Sequence, residues 1–431
     1  MMKLKFKEMK LTVHEDSSNY PVTVVKIGEL HPIQNADNLM RTVLFGNNLI
    51  VSKAVQEGDV MLYFVAGTQL SEDLCYNNNL YDSHELNKDT SEKGYISGKR
   101  RLVKALKLRG VISDGMLLPL SALDYIAQNI PFEIGQTFTH IGDVEVCRKY
   151  IVPVRQTGTP GQKQPKENKM KDLLIDNQFR FHHETAHFAR SLEAFKPETE
   201  IIVTRKYHGS SLILSHVLIN KKLNWFERLV NKFVKLPTSE YGYVFSSGKP
   251  KSRLPKGVKT ESVAWESPTQ SFYSENIWEK AYNLHKDKVE KGITLYGEIV
   301  GTGVQGADYT YGFDYEIFIY RITQTNVDGN VYELSWEAVK AYCEKYGLKY
   351  VDQYFVGKIT DVVGKNGTIE DLLIRFQDAY LDKSYPDCKV DEGVCIRVRG
   401  TDEIYKLKSP KFIEGESKAL EKGVEDIEAA E

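Results

Sequence analysis

Cysteine is scarce in this chain, and scattered. Cys75, Cys147, Cys343, Cys388 and Cys395 are the five, and no two of them stand as C-x-x-C. That argues against a disulfide framework and a zinc ribbon, and fits a reducing, intracellular compartment. Long apolar runs are also missing. No stretch approaches the ~20 residues that a bilayer-spanning helix needs, so no membrane association is expected. The opening MMKLKFKEMK is charged throughout and has no apolar centre, so no secretory leader is expected either. Net charge is slight as well, with 57 basic against 59 acidic side chains. Taken alone, that figure does not suggest a polyanion-binding protein. What is present is an ordinary folding composition: 41% hydrophobic, 27% charged and 11% aromatic. At 431 residues, two or three domains are expected.

The segments PVTVVKIGEL, MRTVLFG, NLIVSKAV and VMLYFVAG are short β-rich runs between Gly, Asn and Asp turns. They predict a small β-barrel over residues 1–148. Residues 149–170 are rich in Pro, Gly, Gln and Lys, lack apolar periodicity and read as a linker. Residues 171–431 form a second α+β unit. In it TEIIVTRK and SSLILSHVL read as strands on either side of a polar turn. ITLYGEIV, YEIFIYRIT, GVCIRV and EIYKLKS are further strands. NWFERLVNKFVKL has the spacing of an amphipathic helix. It carries Lys221, Lys222, Arg228, Lys232 and Lys235 among Trp225, Phe226 and Phe233, so it fits either a packed surface helix or an RNA contact. The C-terminal ALEKGVEDIEAAE reads as a helical acidic tail.

Three motif matches compete. HETAH, from His183 to His187, fits the H-E-x-x-H of a zinc protease, but no third ligand stands out; a metalloprotease is rejected, and the segment reads as the start of a helix with exposed histidines. GTGVQG, from Gly301 to Gly306, follows a strand, yet ADYTYGFDYEIFIY after it is a turn and a strand. The helix that a dinucleotide site requires is absent, and a loop is the better reading. KYHGSS, from Lys206 to Ser211, is weak in isolation. Downstream, however, come LYGEIVG with Glu298, the aromatic strand EIFIYRI, DEGVCIR with Glu392, and YKLKS with Lys406 and Lys408 on one strand face. A nucleophilic lysine must lose its proton, which neighbouring cations favour. Strand carboxylates can hold a hydrated divalent metal, and aromatic rings can stack on a base. Together they suit attack of a lysine on a nucleotide α-phosphate.

In this order and spacing the segments resemble motifs I, III, IIIa, IV and V of the covalent nucleotidyltransferases, the polynucleotide ligases and mRNA capping enzymes. FRFHHETAHFARSLEAFKPETEIIVTRKYHGSS is similar to the lead-in to motif I of RNA ligases, and IGELHPIQNADNLMRTVLFG with KLRGVISDGMLLP is similar to an OB-fold. The resemblance implies an N-terminal OB-fold barrel ahead of an ATP-grasp-like nucleotidyltransferase domain of antiparallel sheets and helices. The activity it implies is ATP-dependent joining of RNA 3′-OH and 5′-phosphate ends, with Mg2+ or Mn2+ required. Lys206 is the implied nucleophile, with Lys406 and Lys408 on the α-phosphate. His208, Gly209 and Ser210 shape the turn, and Glu298 contacts ribose or the metal shell. Glu392 is the metal carboxylate.

Two positions depart from the pattern. Gly248 falls where motif Ia usually has an Arg, leaving Lys249, Lys251 or Arg253 as substitutes. The adenine-stacking ring falls on Ile317 in one register, with Phe318 and Tyr320 as alternatives. A DNA ligase, a capping enzyme and a non-catalytic RNA-binding protein are the competing readings, and no obligate protein partner is evident. The basic run Lys99, Arg100, Arg101, Lys104, Lys107 and Arg109 is expected to face RNA or the ATP triphosphate. The small net charge conceals such local excess: residues 414–431 hold seven acidic and two basic side chains, and the rest of the chain is net basic.

Overall fold

The computed structural model describes residues 10–126, 128, 130–152, 173–182, 185–221, 223–247, 257–259, 264–266, 273, 275–305, 309–383, 388 and 390–422. Alternation of apolar and polar residues builds the first unit from short strands. These include β1 (Val22–Lys26), β2 (Leu39–Leu44), β3 (Asn47–Ser52), β4 (Val60–Phe64), β5 (Ala105–Leu108), β6 (Val111–Asp114) and β7 (Met116–Pro119). β4 lies between β1 and β7, antiparallel to both. β2–β3 and β5–β6 are hairpins closed by Phe45–Gly46 and Arg109–Gly110. Both residues of each pair have positive φ, as a type I′ turn requires. Val24, Leu62, Phe64 and Phe138 belong to the core these strands enclose, the expected barrel.

The second unit is mixed α+β, with two mainly antiparallel sheets. Its strands include β8 (Ala186–His187), β9 (Glu200–Lys206), β10 (Ser210–Asn220), β11 (Ser239–Ser246), β12 (Ile293–Val300), β13 (Glu316–Thr325), β14 (Gln353–Lys358), β15 (Gly393–Val398) and β16 (Ile404–Lys408). One sheet has the order β8-β16-β15-β9-β14. The larger carries β11-β10-β12-β13 at its centre. All eight residues of β12 are buried, which explains its nearly unbroken apolar sequence and makes Glu298 conspicuous. The helices include α1 (Trp225–Val230), α2 (Ile277–His285), α3 (Trp336–Tyr346), α4 (Ile369–Tyr380) and α5 (Pro410–Lys422). Residues of α2 and α3 share a core with the larger sheet, while Leu372, Leu373 and Phe376 of α4 pack with the smaller one.

The nucleophile candidate sits where the chain changes sheets. β9 ends at Lys206 in the smaller sheet, Tyr207–Gly209 crosses over, and β10 starts at Ser210 in the larger.

One local expectation is corrected. HETAH reads as the start of a helix, but Ala186–His187 is a strand paired in parallel with Tyr405–Lys406, and Phe188–Arg190 is a single 3-10 turn. Tertiary pairing overrides local propensity there. His183 and Glu184 lie outside the described residues.

Candidate active site

Strand register brings the distant lysines together. Lys206 of β9 pairs across from Gly393 of β15, which pairs in turn with Lys408 of β16, so the lysines flank a residue without a side chain on one sheet face. Gly393 is required there: its φ is 141°, and a Cβ would lie 2.1 Å from the Leu407 carbonyl oxygen. Two residues along the same face lie Thr204, Cys395 and Lys406, with His187 of β8 beyond. Lys406 is half-buried.

Glu392 joins this row. It is 1% exposed, and its Oε1 lies 2.8 Å from Lys206 Nζ and 3.4 Å from Lys408 Nζ. His208 Nδ1 stands 3.8 Å from its other oxygen. Burial opposes the charge of Lys408, but Glu416 of α5, at 2.7 Å, and Glu392 together hold the ammonium well above its usual range. Burial pushes His187 well below its ordinary value, and Arg190, Lys406 and Lys408 add to the shift. It stays neutral in a cationic neighbourhood.

The crossover turn is clasped from several sides. Gly209 N–H donates to Glu298 Oε1 at 2.9 Å, and its carbonyl accepts from Gln305 Nε2 at 2.7 Å. His208 N–H donates to the Tyr311 hydroxyl at 2.9 Å. A Cβ on Gly209 would fall 2.2 Å from the Ile299 carbonyl oxygen, so the close approach to β12 excludes any other residue. Ser210 is buried opposite Ile299. GTGVQG, read as a loop, thus supports the turn through Gln305, with Gly306 outside the described residues.

Behind the turn lies an arrangement that the sequence does not advertise. Arg205, 5% exposed, donates from Nε to Asp391 Oδ1 at 3.2 Å and has NH1 3.6 Å from Asp352 Oδ2. Its guanidinium lies 4.7 Å from the Tyr207 ring and 5.2 Å from that of Tyr311. Burial raises the Asp391 carboxyl to about 6 even though Arg205 pulls the other way. Tyr207 donates to Asp352 at 3.0 Å and stacks on Phe318, centroids 4.2 Å apart.

Of the two rings expected to stack on a base, Phe318 of β13 is thus packed against Tyr207 and pairs across from Glu298 of β12. Tyr320 is partly buried, with its ring edge-on to His182 and its carbonyl accepting from Arg397. Ile317 is buried in the core. Lys249, Lys251 and Arg253 lie outside the described residues.

Part of the basic run of the first unit is engaged within the fold. Arg101 donates to Glu72 at 2.8 Å and to the Leu70 carbonyl, and Lys104 pairs with Glu421 of α5 at 2.8 Å. Lys99, Lys107 and Arg109 are exposed and Arg100 is half-buried. Among the described residues no three His, Cys, Asp or Glu side chains assemble a metal cage, and no helix is long and apolar enough to cross a membrane.

Residues 199–408 match the family model for RNA ligases, and residues 21–120 match that of an OB-fold domain. No curated protein matches the chain. Among solved structures, a Lys→Met variant of the Naegleria gruberi RNA ligase with AMP and Mn is similar, with a TM-score of 0.57 at 15% identity over 91% of this chain and 98% of that one. A Lys→Ala variant of that enzyme with ATP and Mn has the same TM-score, identity and coverage. The same ligase with pyrophosphate covers 94% of this chain and 100% of its own, also at 15% identity and a TM-score of 0.57. These likenesses show a shared two-part fold.

Proposed function

We infer that this chain, whose residues 199–408 belong to the RNA ligase family behind an OB-fold domain, joins RNA 3′-OH and 5′-phosphate ends with ATP through a covalent adenylate on Lys206. One observation carries the assignment: Lys206 and Lys408, 202 positions apart, share the buried Oε1 of Glu392. A buried cluster of two cations on one carboxylate is costly unless the site uses it.

In the first step Lys206 Nζ attacks the α-phosphorus of ATP. A P–N bond forms, the Pα–O bond breaks and pyrophosphate leaves. Nζ must first shed a proton. Glu392 is 2.8 Å away to accept it, and the nearby Lys408 ammonium disfavours a second positive charge beside it. Lys408 and Lys406 then neutralise charge on the phosphate, and Glu298, already fixing the turn through Gly209, addresses the ribose. AMP passes from Nζ to the RNA 5′-phosphate, breaking P–N and forming a phosphoanhydride. A 3′-OH attacks the activated phosphate, completing the phosphodiester and releasing AMP.

The residues fit a divalent metal. Glu392 is a hard oxygen donor, and its two buried oxygens are engaged by ion pairs with no aligned hydrogen bond. It would hold Mg2+ or Mn2+ together with phosphate oxygens and water, as such ions prefer. When bound, the ion would neutralise phosphate charge. RNA nick sealing or repair is the role this chemistry suits.

Incubation with α-labelled ATP and Mg2+ or Mn2+, followed by a denaturing gel, tests the reading. A labelled adduct is expected in the wild type and absent in Lys206→Ala. An adduct of equal intensity in that variant would remove Lys206 from its role. No adduct with any nucleotide would leave an RNA-binding protein.

A further inference from the structure

The insertion between β10 and β11 exposes what most proteins bury. Trp225 is 78% exposed, Phe226 57%, Leu229 48%, Phe233 84% and Val234 60%, all within ten residues. The Trp225 and Phe226 rings meet edge to face, 5.9 Å apart, and so dense a run of exposed large apolar side chains marks an interaction site. Helix α1 is nevertheless deliberately built: Asn224 accepts from Glu227 N–H at 2.8 Å, while the Glu227 carboxylate accepts from Asn224 N–H at 2.8 Å. Glu227 is the one acid between positions 221 and 236, and Lys221 pairs with it at 2.7 Å. Arg228, Lys232 and Lys235 are exposed among the rings. The sequence pattern allows a packed amphipathic helix here, but the apolar side chains turn to solvent instead.

We propose that Trp225, Phe226 and Phe233, with Arg228, Lys232 and Lys235, form a docking surface for the RNA substrate, remote from the reacting ends. The proposal rests on the RNA ligase reading given above. Three aromatic rings offer stacking faces for unpaired bases, and the cations between them match phosphate charge. A lipid surface is the poorer occupant, because a six-residue helix buries little apolar area and one weak signal gives only marginal anchoring. Position defines the footprint. β10 starts beside the site at Ser210 and runs eleven residues to Asn220, just before the insertion. At about 3.3 Å per residue that is a span of about 35 Å. It corresponds to on the order of ten base pairs of duplex, so the surface would meet RNA about that far from the junction.

The test compares full-length wild type with Trp225→Ser/Phe233→Ser and Lys232→Glu/Lys235→Glu. Fold is checked by thermal unfolding, and binding by anisotropy with a nicked 30-base-pair RNA bearing unpaired 3′ and 5′ ends and with a 12-base-pair version. The long RNA should lose about tenfold or more in affinity in each double variant. The charge variant should also show a salt slope shallower by about two. The short RNA should bind all three proteins alike. Equal affinity of wild type and both variants for the long RNA would overturn the proposal. So would unchanged RNA binding with loss of binding to vesicles of anionic phospholipid, which would assign the surface to a membrane. Adduct formation by the wild type, measured alongside, separates failure of this surface from failure of the ligase reading.

Discussion

Arg205 stands immediately before Lys206, the proposed nucleophile, and Asp391 immediately before the buried Glu392, so their ion pair at 3.2 Å ties the two neighbouring positions together from behind. Asp391 is fully buried. Removing the guanidinium strands that carboxylate, a change that commonly costs about 3–5 kcal/mol. Arg205→Met should therefore lower the denaturation midpoint sharply, and adding Asp391→Asn should recover part of the loss. Urea unfolding of the four proteins of the cycle measures the coupling, and additive effects would sever the link. Lys206, Glu298, Glu392, Lys406 and Lys408 stand out in the sequence because each sits in a short motif, and the fold brings Lys206 and Lys408 together on Glu392. Arg205 belongs to none of these motifs. Its partners Asp391 and Asp352 are 186 and 147 positions away, and only sheet register joins them.

Helix α5 lies outside the motifs yet reaches the candidate site. Phe412 lies edge-on to His208 at 4.9 Å and under Lys408, and Glu416 holds Lys408 at 2.7 Å. A phosphate arriving at Lys408 must compete with that carboxylate. Glu416→Gln should therefore lower the KM for ATP in adduct formation about fivefold, the worth of roughly one charge-assisted contact. A raised KM would instead make Glu416 the group that aims Lys408. The sequence showed a helical acidic tail here and nothing more. A carboxylate paired with a partly buried lysine looks, by composition, like any other acid on a solvated face. Strands were easier: β12, buried along its whole length, follows its apolar run, and β16 shows the alternation of a half-buried strand. HETAH failed for the opposite reason, since two residues borrowed into a sheet edge carry no periodicity.

Across the whole molecule, the barrel and the second unit meet on α4, α5 and the turn Phe188–Arg190. Gln377 donates to the Gly46 carbonyl at 2.6 Å, Ser417 accepts from Ala105 N–H at 3.0 Å, and Arg190 donates to the Asn19 carbonyl at 2.8 Å. No motif in the sequence marks this joint. A cavity of about 350 Å³ lies in it, lined from the barrel by Asn47 and Asp114 and from the other side by Gln377, Asp378 and Asp382. Asp114 is 5% exposed, and Asn47 donates to it at 3.0 Å. Burial raises its carboxyl to about 6, with Arg190 and hydrogen bonds pulling down and Glu416 adding to the rise. A carboxyl whose folded pKa exceeds its unfolded value binds protons more tightly when folded, so its contribution to stability falls as pH rises from about 4 to about 6. A rise of about two units corresponds to about 3 kcal/mol across that window. Asp114→Asn keeps the shape and removes the titration. Its melting temperature should exceed that of the wild type at pH 7 by several degrees, with the difference shrinking toward pH 4. Parallel melting curves at every pH would show that this buried acid does not set the pH response of the joint.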